Sequence, residues 1–541
     1  MRRVAVDGRT AEVEAGASLF DVAERLGVRL PSSCQRHGYC HECAVEVRSG
    51  AEGLTPPTAF ESFLRPPYRL ACQAVVRRGA EPIDFAPLRR TPRILASADR
   101  REVELDPVVA RQGDRVLYDG VAMDRCRGRL LGLAVDLGTT TVVLEVVDLE
   151  TGASLATSSF ESPQRFGGSD VMHRISYDGH HPRELQRAAA TAISRHLAEL
   201  GERLGFTRRE VYEICVAGNS TMRDLLFRLD VQSIGQRPYR SQVEAEFRAG
   251  RRSTTSLVAR ARRLGLRANL ETRAYGLPLI AGHVGADAAA ALLATGLDRD
   301  ADQVSMLVDV GTNTEVLVAG RGRLLAASCP AGPAFEGGLI TCGMPGYEGA
   351  IESVRLAPDG TFECATIGHA PAAGICGSGL IDLLAELRRS GRMTERGSLA
   401  RRARNFALEI APGVTFSAAD ASHLGQAKAA NYCGQYILLR AFGAAPEEVA
   451  HLYLAGGFAN YVDVENAIAI GFLAPVPRDR IHKVGNAALE GARQVLVSRG
   501  RRARLEALVR DVEHVELETV PDFFEVFVEG CHFRPMPARL D

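Results

Sequence analysis

Residues 132–160, GLAVDLGTTTVVLEVVDLETGASLATSSF, decide the fold. They read as strand, tight turn, strand, turn, strand. In VDLGTTT the first strand delivers Asp136 at its end. Gly138 lets the backbone approach an anion closely, and Thr139, Thr140 and Thr141 offer N–H and O–H donors to phosphate oxygens. A second stretch, SMLVDVGTNTEVLVAGRGRLLAASC (305–329), repeats the pattern 173 residues later, measured from Asp136 to Asp309. It offers Gly311, Thr312, Asn313 and Thr314 at the equivalent turn. One D-x-G-T is a weak signal, because many turns read that way; two, each inside a three-strand meander, are a strong one. Helical stretches at 183–202, 285–296, 378–390 and 425–443 separate the strands. A duplicated α/β domain with a central cleft is therefore predicted over 131–541, its halves at about 131–300 and 301–541.

Two such loops facing one another would clamp a triphosphate from both sides, yet neither contains a lysine. The chain has lysine only at Lys428 and Lys483, and neither follows a G-x-x-x-x-G, so a Walker A loop is excluded. Backbone donors and a metal can do the same work: Asp136 would hold Mg²⁺ through water, since magnesium keeps several of its waters. GICGSGL (374–380) places Gly377, Ser378 and Gly379 at a predicted helix start, where exposed amides bind anions, although a plain N-cap explains it nearly as well.

Upstream, residues 1–82 read as a separate unit. RRVAVDGRTAEVEA gives two alternating strands around Asp7-Gly8, and SLFDVAERLGV gives a short helix with Ser18 as N-cap and Gly27 as stop. Cys34, Cys40 and Cys43 follow as C-x5-C-x2-C, and Cys72 supplies a fourth thiol. Four thiolates can hold a [2Fe–2S] cluster, two on each iron. A four-cysteine zinc site remains the alternative, although structural zinc ribbons usually bring two C-x2-C pairs and this segment has one. Inert thiols are the third reading. Residues 83–130 are rich in arginine and proline and read as a linker or a reduced middle region with one small strand pair.

The bulk numbers fit this picture. A chain of 541 residues is too long for one core, and 46% apolar with 24% charged residues is ordinary for a globular protein. A formal net charge of −1 gives no global field toward nucleic acid or an anionic membrane, and no run of 18 apolar residues exists. The N-terminus carries charges and alternates, unlike a signal peptide. Cysteines without a secretion signal read as reduced thiols or ligands, so a cytoplasmic setting is expected.

Residues 1–82, with their hairpin, helix, C-x5-C-x2-C loop and RLAC, resemble the vertebrate-type and bacterial [2Fe–2S] ferredoxins, which implies the β-grasp fold and Cys34, Cys40, Cys43 and Cys72 as cluster ligands. The loop departs from that pattern: His37, Tyr39 and His41 are bulky where relatives are glycine-rich. AVDLGTTTV, GADAAAALLATGL (285–297) and LYLAGGFANY (452–461) resemble the first phosphate loop, the connecting helix and the adenosine motif of the superfamily of acetate and sugar kinases, actin and heat-shock chaperones. That resemblance implies a ribonuclease-H-like, actin-like ATPase fold that binds ATP, with Gly456 and Gly457 against the base or ribose. It implies Asp287 as a water-positioning group beside Asp136 and Asp309; a helix-start charge is an equal reading of Asp287.

The whole chain resembles the reductive activators of corrinoid enzymes, through VAGNSTM (216–222), LPLIAGHVGAD (277–287), CPAGPAFEGG (329–338) and IGFLAP (470–475) besides the motifs above. Membership implies an ATP-assisted one-electron transfer from the cluster to Co(II) of the corrinoid protein of a methyltransferase system, regenerating Co(I). It also implies an upstream electron donor and a homodimer through the ATPase domain. A kinase of the acetate or sugar type, an activator of a radical dehydratase and a non-catalytic redox scaffold are the alternative readings.

Overall fold

Alternation in the first fourteen residues pairs Arg2–Val6 with Arg9–Val13 as an antiparallel hairpin closing at Val6 and Arg9. This hairpin is one edge of a five-stranded sheet ordered Arg9–Val13, Arg2–Val6, Ile83–Pro87, Ala44–Ser49, Tyr68–Leu70. The helix Leu19–Arg25 packs on it, started by a capping box between Ser18 and Asp21 and followed by Gly27 at φ 70°. The computed structural model describes every residue except 7, 29, 31–33, 35, 39, 40, 42, 89–98, 301, 401–406, 458 and 541. The turn residue Asp7 and the cysteine-loop residue Cys40 lie outside the described residues. The strand Ile83–Pro87 pairs parallel with the first strand and antiparallel with Ala44–Ser49, so this sheet continues past residue 82.

Two six-stranded sheets follow, and each contains one of the two meanders. The first is ordered Ser154–Glu161, Thr141–Asp148, Leu131–Leu137, Val211–Gly218, Arg273–Gly276, Leu257–Arg260. The second is ordered Ile481–Gly485, Val449–Ala455, Val304–Val310, Thr314–Gly320, Arg323–Cys329, Glu513–His514. In both, the first meander strand takes a parallel partner on its free edge, Val211–Gly218 in one and Val449–Ala455 in the other. Asp136 and Asp309 therefore occupy equivalent strand ends.

The halves meet along two small-residue helices, Ala286–Thr295 and Ala487–Val497, which share one core with residues of both sheets. A Cβ added at Gly491 would sit 2.1 Å from the carbonyl oxygen of Ala290, so only glycine permits this approach. Residues 109–125 form a three-stranded antiparallel sheet rather than a single strand pair, and its Val109 and Val116 belong to the same core. The stretch just before it is fastened to the second half: Arg499 reaches Asp106 at 2.6 Å.

The N-terminal sheet shares its core with the first half. Val4, Phe63 and Phe85 cluster with Phe166, Ile175, Tyr177 and Leu185. Ile175 and Tyr177 lie on the helix Val171–His180, capped by Asp170. No helix among the described residues is long and apolar enough to cross a membrane.

Substituting Gly491→Ala forces a methyl group into the Ala290 carbonyl. Overpacking of this kind costs about 1–3 kcal/mol, so the melting temperature of the variant is expected to drop by several degrees. An unchanged melting temperature would mean that the two helices separate freely.

Candidate functional site

A cleft of about 430 Å³ opens between the two six-stranded sheets. Its walls bring together Asp136, Gly138, Thr139, Thr140 and Thr141 from the first loop and Asp309, Gly311, Thr312 and Asn313 from the second. Asp287, Gly377, Gly456 and Gly457 complete it. Three of the residues singled out in the sequence do not line the cleft. Thr314 is fully buried in its strand. Ser378 donates its hydroxyl to the Glu352 carbonyl at 2.8 Å, and Gly379 packs against Ile351, where a Cβ would lie 2.4 Å from the carbonyl oxygen. Gly377 alone of that trio reaches the cleft, at the first turn of the helix Gly377–Arg389, which no side chain caps. Gly456 has φ 109°, and a Cβ there would lie 2.1 Å from the Val310 carbonyl oxygen, so the glycine brings this turn against the second loop.

The carboxylates dominate the electrostatics. Burial pushes Asp136 up to about 7, aided by Asp287 and opposed by a hydrogen bond from Asn486 Nδ2 to Oδ2 at 2.8 Å. Burial, then Asp287 and Asp136, pushes Asp309 up to about 8. Asp287, in the first turn of its helix, is pushed up to about 6 by burial. Glu315 is raised further by burial and by Asp287 and Asp309. Like charges crowded in a buried cleft favour a cation among them. Among the described residues no three such groups close on one point tightly enough to ligate an ion directly.

Sequence reasoning missed four contributors. Glu336 accepts hydrogen bonds from Thr140 Oγ1 at 2.8 Å and from Thr312 Oγ1 at 2.6 Å, so one carboxylate clasps both loops. Asn219 donates to Thr139 Oγ1 at 3.0 Å, and Asn486 orients Asp136. Arg174 enters from the helix Val171–His180. Glu336 and Asn219 sit in CPAGPAFEGG and VAGNSTM, so their segments were legible but their roles were not.

In the N-terminal unit Cys34 and Cys43 are buried and Cys72 is half-buried. The Cys72 thiol is drawn down to about 7, chiefly by a hydrogen bond from the Cys43 thiol, while the nearby Cys34 pushes it up. Gln73 Nε2 also donates to Cys72 Sγ at 3.5 Å. Two soft donors in contact, one already prone to ionise, with Cys34 close enough to act on it, fit an iron–sulfur cluster. The histidines of the loop serve otherwise. His37 Nδ1 lies 2.7 Å from the Cys34 carbonyl oxygen, and His41 Nδ1 lies 2.7 Å from Glu184 Oε2 of the first half.

The raised carboxyls set a pH dependence. Between their ordinary value of 3.8 and their raised values the folded protein binds more protons than the unfolded chain. Stability of the cation-free protein is therefore expected to fall as pH rises through about 6 for Asp287 to about 8 for Asp309. Added Mg²⁺ and ATP should raise the melting temperature more at the upper end of that window than at the lower. A pH-independent increment would count against these carboxylates as the cation's anchor.

Comparison with known proteins bears on the same regions. Residues 4–77 match the family described as 2Fe-2S iron-sulfur cluster binding domain, residues 131–300 the RACo middle region, and residues 303–539 the C-terminal domain of RACo, the ASKHA domain. The chain is 29% identical over 448 residues to the corrinoid activation enzyme RamQ of Eubacterium limosum, covering 78% of this chain and 73% of the relative. It is 25% identical over 395 residues to the [Co(II) methylated amine-specific corrinoid protein] reductase of Methanosarcina barkeri, covering 69% and 71%. A solved structure named reductive activator for corrinoid, iron-sulfur protein superposes with a TM-score of 0.72 at 26% identity, over 100% of this chain and 99% of that one. The chain belongs to the RACo family of reductive activators of corrinoid proteins, with a 2Fe-2S cluster-binding domain at its N-terminus and an ASKHA domain behind it.

Proposed function

We propose that this protein regenerates the Co(I) state of a corrinoid protein by passing one electron to Co(II), with ATP bound in the cleft between the two sheets. One observation carries the reading: the strand Ala44–Ser49 begins directly after Cys43, and its Glu46 and Arg48 line the same cleft as Asp136 and Asp309. Electron carrier and nucleotide site thus share a wall. A bound [2Fe–2S] cluster supplies electrons one at a time, which matches the single-electron step from Co(II) to Co(I).

The chain's own residues do the rest. Cys34, Cys40, Cys43 and Cys72 hold the cluster. Asp136, Asp309 and Asp287 anchor hydrated Mg²⁺, and the amides and hydroxyls of Gly138–Thr141 and Gly311–Asn313 receive phosphate oxygens. Asp287 orients the attacking water, and Gly456 and Gly457 face the nucleoside. Energy is needed because the transfer runs uphill: for one electron, roughly 59 mV of adverse potential corresponds to about 1.4 kcal/mol. Nucleotide binding or hydrolysis offsets this through a change in the relation of the two domains. An upstream donor reduces the cluster, and the protein works in the cytoplasm as a homodimer.

The test is anaerobic. Reduced, cluster-loaded protein is mixed with a Co(II) corrinoid protein from the same source, and Co(I) is followed by its absorbance with and without Mg-ATP. ATP-dependent Co(I) is the expected result; none, with the cluster spectrum intact, would overturn the proposal. Asp309→Ala is expected to weaken Mg-ATP binding by about 10–100-fold, the usual cost of losing a partner to a metal's outer shell, and calorimetry measures it. Cys40→Ser is expected to abolish Co(I) formation while Mg-ATP still binds.

A further inference from the structure

Three arginines line the cleft, and they differ in what holds them. Arg165 lies 2.6 Å from Glu161 and 3.6 Å from Glu46. Arg48 lies 3.8 Å from Asp84. Arg174 is 0% exposed and lines the cleft, and Asp170 and Glu336 are the carboxylates whose charge acts on it. Its Nε donates to the Gly168 carbonyl at 3.1 Å and its Nη1 to Met222 Sδ at 3.2 Å. Its Nη2 is buried with no hydrogen-bond partner in the protein. Burial draws the group down only to about 10, so it stays charged at neutral pH.

A buried, charged nitrogen without a partner is costly to maintain and is expected to meet an anion. The position of Arg174 says which part of a ligand it meets. Its charge acts on Glu336, the carboxylate that takes hydrogen bonds from Thr140 and Thr312, so it stands where the two loops converge. On the reading of the two loops as phosphate-binding, that is the phosphate end of the cleft.

The helix that carries Arg174 has a second attachment. Ile175 and Tyr177 pack into the core shared with the N-terminal domain. Tyr177 donates its hydroxyl to the Phe63 carbonyl. The Phe63 ring stacks on His41 with centroids 3.9 Å apart and planes 19° from parallel. His41 belongs to the cysteine loop, between Cys40 and Cys43, and holds a left-handed backbone at φ 60°. One ten-residue helix thus touches the phosphate end of the cleft with one side chain and supports the cluster loop with another.

We propose that Arg174 grips the terminal phosphate of bound ATP, and that the helix Val171–His180 conveys the presence of that phosphate to the cluster loop through Tyr177, Phe63 and His41. This rests on the reading of the cleft as an ATP site. Arg174 supplies the cation that the two lysine-free loops lack. ADP leaves it without its partner, so the two nucleotides hold the helix differently, and that difference in contacts is what shifts the cluster loop. Tyr177 is a positioning residue: it touches neither nucleotide nor cluster.

The experiment uses the full-length, cluster-loaded protein under anaerobic conditions. Calorimetry gives the affinities for Mg-ATP and Mg-ADP, and paramagnetic resonance of the reduced cluster is recorded with each nucleotide. Arg174→Gln is expected to weaken ATP by about 10–100-fold, the range for losing a hydrogen bond to a charged group, and to leave ADP nearly unchanged; Arg174→Lys should recover part of the loss. Tyr177→Phe is expected to keep the ATP affinity and to lose the ATP-induced change in the cluster spectrum. Equal ATP and ADP affinities in wild type and Arg174→Gln, with the cluster spectrum intact, would make Arg174 a structural residue. An ATP-induced spectral change that persists in Tyr177→Phe, or is absent from the wild type, would overturn the relay. Neither readout depends on Co(I), so a protein that binds ATP but reduces no corrinoid would still decide the role of Arg174.

Discussion

Everything around the cleft answers to one constraint: the carboxyls of Asp136, Asp287 and Asp309 are buried together. Asp136 and Asp309 come from equivalent strand ends, and Asp287 joins them from the start of a buried helix. Each repels the others' ionised form, and burial compounds the effect. Such an arrangement favours a cation beside it. The neutral donors nearby fit the same need. Threonines, an asparagine and turn amides can bind phosphate without competing with the metal for the carboxylates, as a lysine would.

The clasp made by Glu336 extends this logic to the two halves. Thr140 and Thr312 belong to different sheets, and one carboxylate accepts from both. A ligand that inserts between the loops must engage the same hydroxyls, so its binding is felt on both sides of the cleft. The close approach of Ala290 and Gly491 packs the two halves together.

The cysteine loop becomes intelligible in the same terms. Bulky residues in a loop that surrounds a cluster look unfavourable when the N-terminal unit is considered alone. Here His41 is not packed against its own domain only. It stacks on Phe63 and pairs with Glu184 of the neighbouring lobe, and Phe63 meets Phe166 edge-on at 5.7 Å. His41 thus ties the loop to the neighbouring lobe.

The sequence alone determined the local features: the alternating strands, the repeated meander, the N-cap at Ser18, the cysteine spacing and the two aspartate loops. Each depends on residues within about a dozen positions of one another, where periodicity and turn chemistry speak directly. Tertiary structure decided what lies at long separation. It placed Ile83–Pro87 in the N-terminal sheet, turned Ser378 and Gly379 away from the cleft and brought Glu336 onto both loops. It also put Arg174 on the wall of the cleft, on a helix anchored to the N-terminal domain. An arginine among so many has no distinguishing neighbour in the chain; its place on the cleft wall with Nη2 buried and unpartnered, a property of the packed fold, sets it apart.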